Sequence, residues 1–317
     1  MNLYVPNYYQ SFACIADRCK HSCCVGWEID IDTQTYVCYQ NTEGPFGERL
    51  RDGMMMEEGT PHFCLTTEER CPFLNKDNLC DIILQMGEEA LCQICTDHPR
   101  FRNFFDSREE LGVGLCCEAA TALIVGQQEP FFLMALHNDE VEETPEETAF
   151  FAERNRIFLL LQDRSERMEE RVEKLIHSYG LSLPKLTYEE WASIFWQLER
   201  LETSWTDRLS DLKKVGQIPD MLFADPSWEL AWEQLLLYFV YRHTAEAFYD
   251  DSLKVRLAFS ILSLRMLQGL CAGHAMACGA VSLADLCEIA RQYSAEVEYS
   301  EGNMDALFAL LENANKL

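Results

Sequence analysis

Apolar residues recur at helical spacing through the second half of the chain. Met168, Val172, Leu175, Ile176 and Tyr179 stand at i, i+4, i+7, i+8 and i+11, one face of a 3.6-residue helix, and Gly180 is placed to end it. Trp191, Ile194, Phe195, Leu198 and Leu201 repeat the pattern. Pro226-Ser227 precedes a strongly apolar stretch from Trp228 to Phe248, with Ser227 as the expected N-cap. Another helix is predicted from about Leu253 to Leu270. Ser282 with Asp285 makes a capping-box-like start for Leu283 to Tyr293, and an amphipathic segment from Met304 to Leu311 closes the series.

The first part of the chain reads differently. Its apolar segments are shorter and interrupted by Gly and Pro, which predicts short helices and loops wrapped around cysteines. Asn138 to Thr148 holds six acidic residues, one proline and no basic residue, the composition of a solvated connection. The expected fold is therefore mostly α. A cysteine-rich metal-binding domain of short helices and loops over 1–125 is followed by an acidic linker or loop over 126–148 and a helical domain over 149–317.

Composition narrows the function classes. The 317 residues are 48% apolar, enough for a substantial core. Acidic residues outnumber basic ones 53 to 26, and the net charge of −27 repels nucleic-acid phosphates and anionic lipid. Such a surface serves solubility, or it attracts a basic, lysine-bearing protein. The N-terminus Met1-Asn2-Leu3-Tyr4-Val5-Pro6 has neither a basic nor an apolar leader region. The longest apolar run, Leu235 to Tyr241, is far short of the roughly 20 residues that span a bilayer. No nucleic-acid or membrane partner and a cytoplasmic location are expected.

Fifteen cysteines in a reducing compartment are not a disulfide framework, and the count is odd. Twelve lie at or before position 117. They group as Cys14-x4-Cys19-x3-Cys23-Cys24, Cys71-Pro72-Phe73-Leu74, Leu79-Cys80-Asp81, Leu91-Cys92-x2-Cys95 and Cys116-Cys117. Thiolates bind soft metals, and short-spaced pairs let loops close a site. The candidate metal ligands are Cys14, Cys19, Cys23, Cys24, Cys71, Cys80, Cys92, Cys95 and Cys116, more than one cluster needs. The isolated Cys38, Cys64, Cys271, Cys278 and Cys287 read as small apolar residues. Zinc is the alternative metal, with His21 and His98 as nitrogen ligands, although only Cys92-x2-Cys95 has the knuckle form. Ferredoxin spacing is absent. So is the CxxxCxxC loop of radical S-adenosylmethionine enzymes, because Gly26 stands where the third thiolate belongs. Gly112-Val113-Gly114 lacks the setting of a nucleotide-binding turn. Cys95 and His98 make a nucleophile and base less economically than a ligand and its neighbour.

Longer motifs carry a resemblance. Tyr8-Tyr9-x2-Phe12-x-Cys14, Cys23-Cys24-x-Gly26-Trp27-x-Ile29-x-Ile31-Asp32, Cys71-Pro72-Phe73-Leu74-Asn75, Asn78-Leu79-Cys80-Asp81-Ile82 and Leu91-Cys92 leading to His98-Pro99-Arg100 occur in that order. Tyr238-Phe239-x-Tyr241-Arg242-His243 and Ala290-Arg291-x-Tyr293-Ser294-x-Glu296-x-Glu298-x-Ser300 follow. Together they resemble the flagellin lysine-N-methylase family, with its cysteine-rich zinc- or iron-chelating module. Cys117 stands where a proline is expected, and Tyr299 where a histidine is.

The resemblance implies methyl transfer from S-adenosylmethionine to flagellin lysines by a protein with a [4Fe-4S] cluster. A lysine amine of reference pKa about 10.4 must lose its proton before attack, work for which Tyr293, Glu296, Glu298 and His243 are candidates. The donor's sulfonium is a cation, which the aromatic faces of Trp27, Tyr8 or Tyr241 are suited to hold; Arg242, in the run Tyr241-Arg242-His243, is the further cofactor-binding candidate. The same run would equally serve to cap or cross-link helices. Two other classes stay open: a non-catalytic metal-binding or redox-sensing protein, and a structural zinc protein that binds a partner through its helical half.

Overall fold

The computed structural model describes residues 1–218 and 225–315. The chain forms two compact units, one of residues 13–100 and one of residues 1–12 with 101–317. Residues 126–148 lie inside the larger unit.

Strand β1 (Asn2–Pro6) opens the larger unit, after which the chain builds the smaller one. There, helices α1 (Thr33–Asn41) and α2 (Gly44–Asp52) precede the hairpin β2 (Met54–Glu57) and β3 (Thr60–Phe63). Two short helices follow, α3 (Asp81–Met86) and α4 (Gln93–Asp97). Ile29 and Ile31 run beside β3, accepting from Phe63 N–H (3.1 Å) and donating to Pro61 O (2.7 Å) respectively. One Asp32 oxygen caps α1 through Thr35 N–H and the other accepts Gln93 N–H, each at 2.9 Å, which ties α1 to the start of α4. The core is small: Ile29, Ile31, Tyr39, Leu50, Phe63, Phe73 and Ile82, joined by Cys71 and Cys92.

In the larger unit β4 (Arg100–Phe104) and β5 (Arg108–Val113) join β1 and β6 (Leu133–His137) in a sheet of order β4-β5-β1-β6. β1 runs parallel to β5 and antiparallel to β6. Helix α5 (Glu118–Val125) lies between β5 and β6 in sequence. Among the described residues eight helices follow: α6 (Pro145–Leu161), α7 (Met168–Tyr179), α8 (Tyr188–Phe195), α9 (Thr203–Leu212), α10 (Pro226–His243), α11 (Ala247–Asp250), α12 (Leu253–Cys278) and α13 (Leu283–Tyr293). A π-helical turn over Ser294–Glu298 then leads to α14 (Glu301–Asn315).

The protein is mostly helical, as the periodicity predicts, but the expectation of only short helices and loops around the cysteines is corrected by these strands. They are four to six residues long, too short to show a period of two clearly. The acidic stretch is also more than solvent-facing: Thr144 and Glu147 form the capping box of α6, and Glu147 is buried, accepting Ser107 N–H at 2.9 Å.

Helix α7 spans the predicted residues and ends at Gly180. The cap of α10 is Asp225, which accepts Ser227 N–H at 2.8 Å, in place of the expected Ser227; Pro226 occupies the first turn, where its missing N–H costs nothing. Leu198 and Leu201 fall outside α8. Leu201 and Glu202 donate their amides to Glu296 at 2.8 and 2.6 Å, so a distant carboxylate takes up N–H groups that the helix would otherwise use.

Helix α12 continues to Cys278, beyond the predicted Leu270. By length and composition it is apolar enough to cross a membrane, which a count of uninterrupted apolar residues misses, and 78% of its apolar window is buried inside the protein. It packs against α9, α10, α13 and α14, which is why it is apolar nearly all round.

Candidate functional site

The smaller unit gathers thiols from four segments. Cys71 N–H bonds to Cys24 O at 2.8 Å, and Leu74 is bridged to Cys80. Cys71 and Cys92 are core residues, against which Cys24, Cys80 and Cys95 pack. Cys24 shares a hydrogen bond with Cys23 and Cys92 with Cys95. The hydrogen bond from Cys23 brings the Cys24 thiol down to about 7 against the opposing effect of burial, with Ser22 and Arg70 assisting. Burial pushes Cys71 up to about 12 despite the backbone N–H groups of Phe73 and Leu74 aimed at its sulfur. Burial likewise raises Cys80, which receives N–H groups of Ile82 and Ile83.

These amides are the donors that a ligating thiolate requires once metal has displaced its proton. Cys24, Cys71, Cys80, Cys92 and Cys95 therefore fit a thiolate-bound metal in a largely apolar shell. Cys14 and Cys23 are exposed and Cys19 half-buried, so these three are available at the edge of the same unit. Cys116 belongs to the larger unit. Trp27, half-buried, donates its indole N–H to Cys23 O at 2.7 Å, with the His98 ring 6.1 Å away.

The second constellation lies in the larger unit, at the π-helical turn. Glu296 and Glu298 are two residues apart and face different neighbours. Glu296 clamps the 201–202 backbone, while Glu298 turns toward α10. Its carboxylate accepts from Tyr238 Oη at 3.1 Å, faces Arg242 Nε at 3.3 Å and meets His243 Nε2 at 2.6 Å. Burial opposes the charge on Glu298, but Arg242, His243 and Ser294 outweigh it and hold the carboxyl below its ordinary range. His243 is lowered by burial, which exceeds the pull of Glu298. A neutral imidazole against an ionised carboxylate must carry its hydrogen on Nε2. Arg242 donates to Tyr238 Oη at 2.8 Å and lies between the rings of Phe101 (5.1 Å) and Tyr299 (4.9 Å). Tyr299 hydrogen-bonds Cys116, whose thiol burial pushes up to about 12.

The Glu298 side chain itself is fully buried. A cavity of about 390 Å³ is lined by Glu298, Tyr299, Glu301, Met304 and Asp305. A larger cleft of about 1020 Å³, lined by α7, α8, α10 and α12, includes none of these residues.

The other candidates are placed in the core. Tyr293 donates to Ser263 Oγ at 3.0 Å and packs on Phe195, Trp205 and Phe239. Tyr241 is wholly enclosed, its hydroxyl donating to Leu111 O at 2.9 Å, and Tyr8 is buried beside Phe131. The structure thus brings together Glu298, His243 and Arg242 and adds Tyr238 and Tyr299. Tyr238 precedes Arg242 by four residues, a signal available in the sequence. The sequence reading also passed over His62, a buried imidazole 2.9 Å from Glu28 and grouped with Asp30.

The fold and this polar core define a mostly helical protein with a buried carboxylate, imidazole and guanidinium group. Residues 187–317 match the family described as the FliB lysine N-methylase C-terminal domain. Over those residues the chain is similar to the FliB-like proteins. The lysine-N-methylase of Salmonella typhimurium strain LT2 is 22% identical over 134 residues, 40% of this chain and 33% of that protein. The flagellar biosynthetic protein FliU of Salmonella muenchen is 23% identical over 134 residues, 40% of this chain and 79% of that protein. The match spans about a third of the length of the curated lysine-N-methylases. No solved structure matches.

Proposed function

We propose that this chain is a protein-lysine N-methyltransferase that takes methyl groups from S-adenosylmethionine and places them on flagellin lysines, the lysine side chain entering the cavity at Glu298. The observation that carries the reading is the lining of that cavity within the FliB-type domain. The exposed Glu301 and Asp305 attract an ammonium head, while the Tyr299 ring and the Met304 thioether suit its aliphatic stem. The names of the relatives support the substrate class.

Glu298 is held ionised by Arg242, which makes it a poor proton acceptor and a good fixed charge. Its part is to fix Arg242, His243 and Tyr238 beneath the cavity, and the exposed Glu301 and Asp305 orient the amine. The proton leaves to water at the open mouth. The neutral nitrogen then attacks the methyl carbon, the carbon–sulfur bond breaks with its electron pair on sulfur, and the sulfonium becomes a neutral thioether.

The [4Fe-4S] reading rests on the thiols of the smaller unit. Tetrahedral zinc at about 2.3 Å from each sulfur would bring sulfurs to about 3.8 Å from one another. Only Cys92-x2-Cys95 has the two-residue spacing from which such a zinc site is usually built, so the cluster is the preferred reading. When bound, the cluster would cross-link four chain segments. An odd count of fifteen cysteines fits a reducing, cytoplasmic setting better than a disulfide framework.

The test is to incubate anaerobically purified, metal-replete protein with S-adenosylmethionine and flagellin and read lysine masses. Methylated lysines are expected, and Glu301→Gln with Asp305→Asn should raise KM for flagellin on the order of 10-fold with kcat nearly kept. Absence of methylated lysine together with no S-adenosylmethionine binding by calorimetry would overturn the reading.

A further inference from the structure

A thiol, an imidazole and a carboxylate stand in line at the C-terminal end of α12, in the larger unit and apart from the residues discussed so far. His274 and Cys278 are four residues apart, so one helical turn puts both on one face. Gly279 then takes the left-handed conformation (φ +85°) and donates its N–H to Ala275 O at 2.8 Å, ending the helix. Ser282 starts α13 three residues later, and its capping partner Asp285 comes back against His274. Cys278 Sγ lies 3.9 Å from His274 Nδ1, and His274 Nε2 lies 3.6 Å from Asp285 Oδ1. Cys278 is exposed, and the other two are partly so.

We propose that Cys278 is a base-assisted nucleophile and a site of thiol–disulfide exchange with small, accessible disulfides. The order of groups is that of an activated thiol: nucleophile, base beside it, and a carboxylate facing the base's other nitrogen. An isolated cysteine in the last helical turn faces carbonyl oxygens that oppose a thiolate, and the same carbonyls favour an imidazolium. His274 is therefore the group placed to accept the Cys278 proton. In the exchange, the S–H proton passes to His274 Nδ1 as Cys278 sulfur attacks one sulfur of the disulfide. A new S–S bond forms as the old one breaks, and the departing thiolate takes the proton. Asp285 stabilises the transient imidazolium. No oxidant is needed beyond the disulfide.

Cys38 is a built-in reference, exposed on α1. The full chain, purified anaerobically with its metal, is mixed with a limiting amount of dithiodipyridine, an uncharged disulfide that the acidic surface does not repel. Pyridinethione release gives the rate, and mass spectrometry of peptides gives the site. Cys278 should react on the order of 10 times faster than Cys38, His274→Gln should remove that advantage, and Asp285→Asn should reduce it. Equal rates for Cys278 and Cys38 in the unaltered protein would overturn the proposal, as would an unchanged Cys278 rate in a folded His274→Gln protein. The first comparison needs no variant and stands even where a substitution unfolds the chain.

Discussion

His243 Nε2 lies 2.6 Å from Glu298 Oε1, a buried imidazole donating to a buried carboxylate that also faces Arg242 at 3.3 Å. A histidine and an arginine from α10 are thus joined through one residue of the π-helical turn, and the charge of Arg242 decides the ionisation of the group.

Replacing Glu298 leaves Arg242 partly buried without its counter-charge. Glu298→Gln should lower unfolding stability by about 3–5 kcal/mol, the range for breaking a buried pair, whereas Tyr293→Phe, which removes one neutral hydrogen bond to Ser263, should cost about 1 kcal/mol. Denaturant titration of both variants checks the ranking; equal losses would mean that Arg242 finds another partner.

Acid should destabilise the larger unit. The folded carboxyl of Glu298 lies below its ordinary value, so its contribution is present above the unfolded value near 4.5 and is lost as pH falls through the folded one. His243 is also lowered in the folded state from 6.5, so below about that pH the unfolded chain binds the extra proton and stability declines. Both signs agree. Melting temperature should fall first below about pH 6.5 and again in the carboxylate range, and His243→Gln should flatten the first step.

Glu296 is read as a structural clamp, because both its oxygens are taken by the amides of Leu201 and Glu202. Glu296→Ala should cost about 1 kcal/mol for each of the two hydrogen bonds lost. Turnover per folded molecule should be retained. A variant as stable as the parent but without turnover would return Glu296 to the chemistry.

Metal binding should contribute to folding of residues 13–100. Cys71→Ser and Cys92→Ser are expected to lose iron and acid-labile sulfide and to expose this unit to proteolysis, while Cys38→Ser should leave both unchanged. Elemental analysis of anaerobic preparations measures the first. Stoichiometric zinc without iron would reject the cluster and keep the thiol site.

Much of the helical half is legible in the sequence, because amphipathic spacing and caps act within a few residues of one another. Met168 to Tyr179, and Ser282 with Asp285, are cases where local chemistry alone fixes the element. The end of α8 is different. Leu198 and Leu201 keep the apolar period, but a carboxylate nearly a hundred positions away takes the amides of residues 201 and 202, and no local rule contains that information. The strands escaped notice for the same reason, since β1 gains its partners from residues 108–110 and 133–137.

The candidate site divides in the same way. Residue types and spacing made the cysteines candidate metal ligands, and the family resemblance brought in Glu298, His243 and Arg242 beside Glu296 and Tyr293. Sequence could not separate Glu298 from Glu296, because the two differ only in which distant groups they meet: backbone amides for one, a guanidinium and an imidazole for the other. Nor could it distinguish Cys278 from an ordinary apolar cysteine, since its line to Asp285 exists only after Gly279 has turned the chain. Sequence by itself determined helices, caps and chemical inventory, which depend on short-range spacing. Tertiary structure alone decided charge states and partnerships, because these depend on burial and on groups brought together from far along the chain.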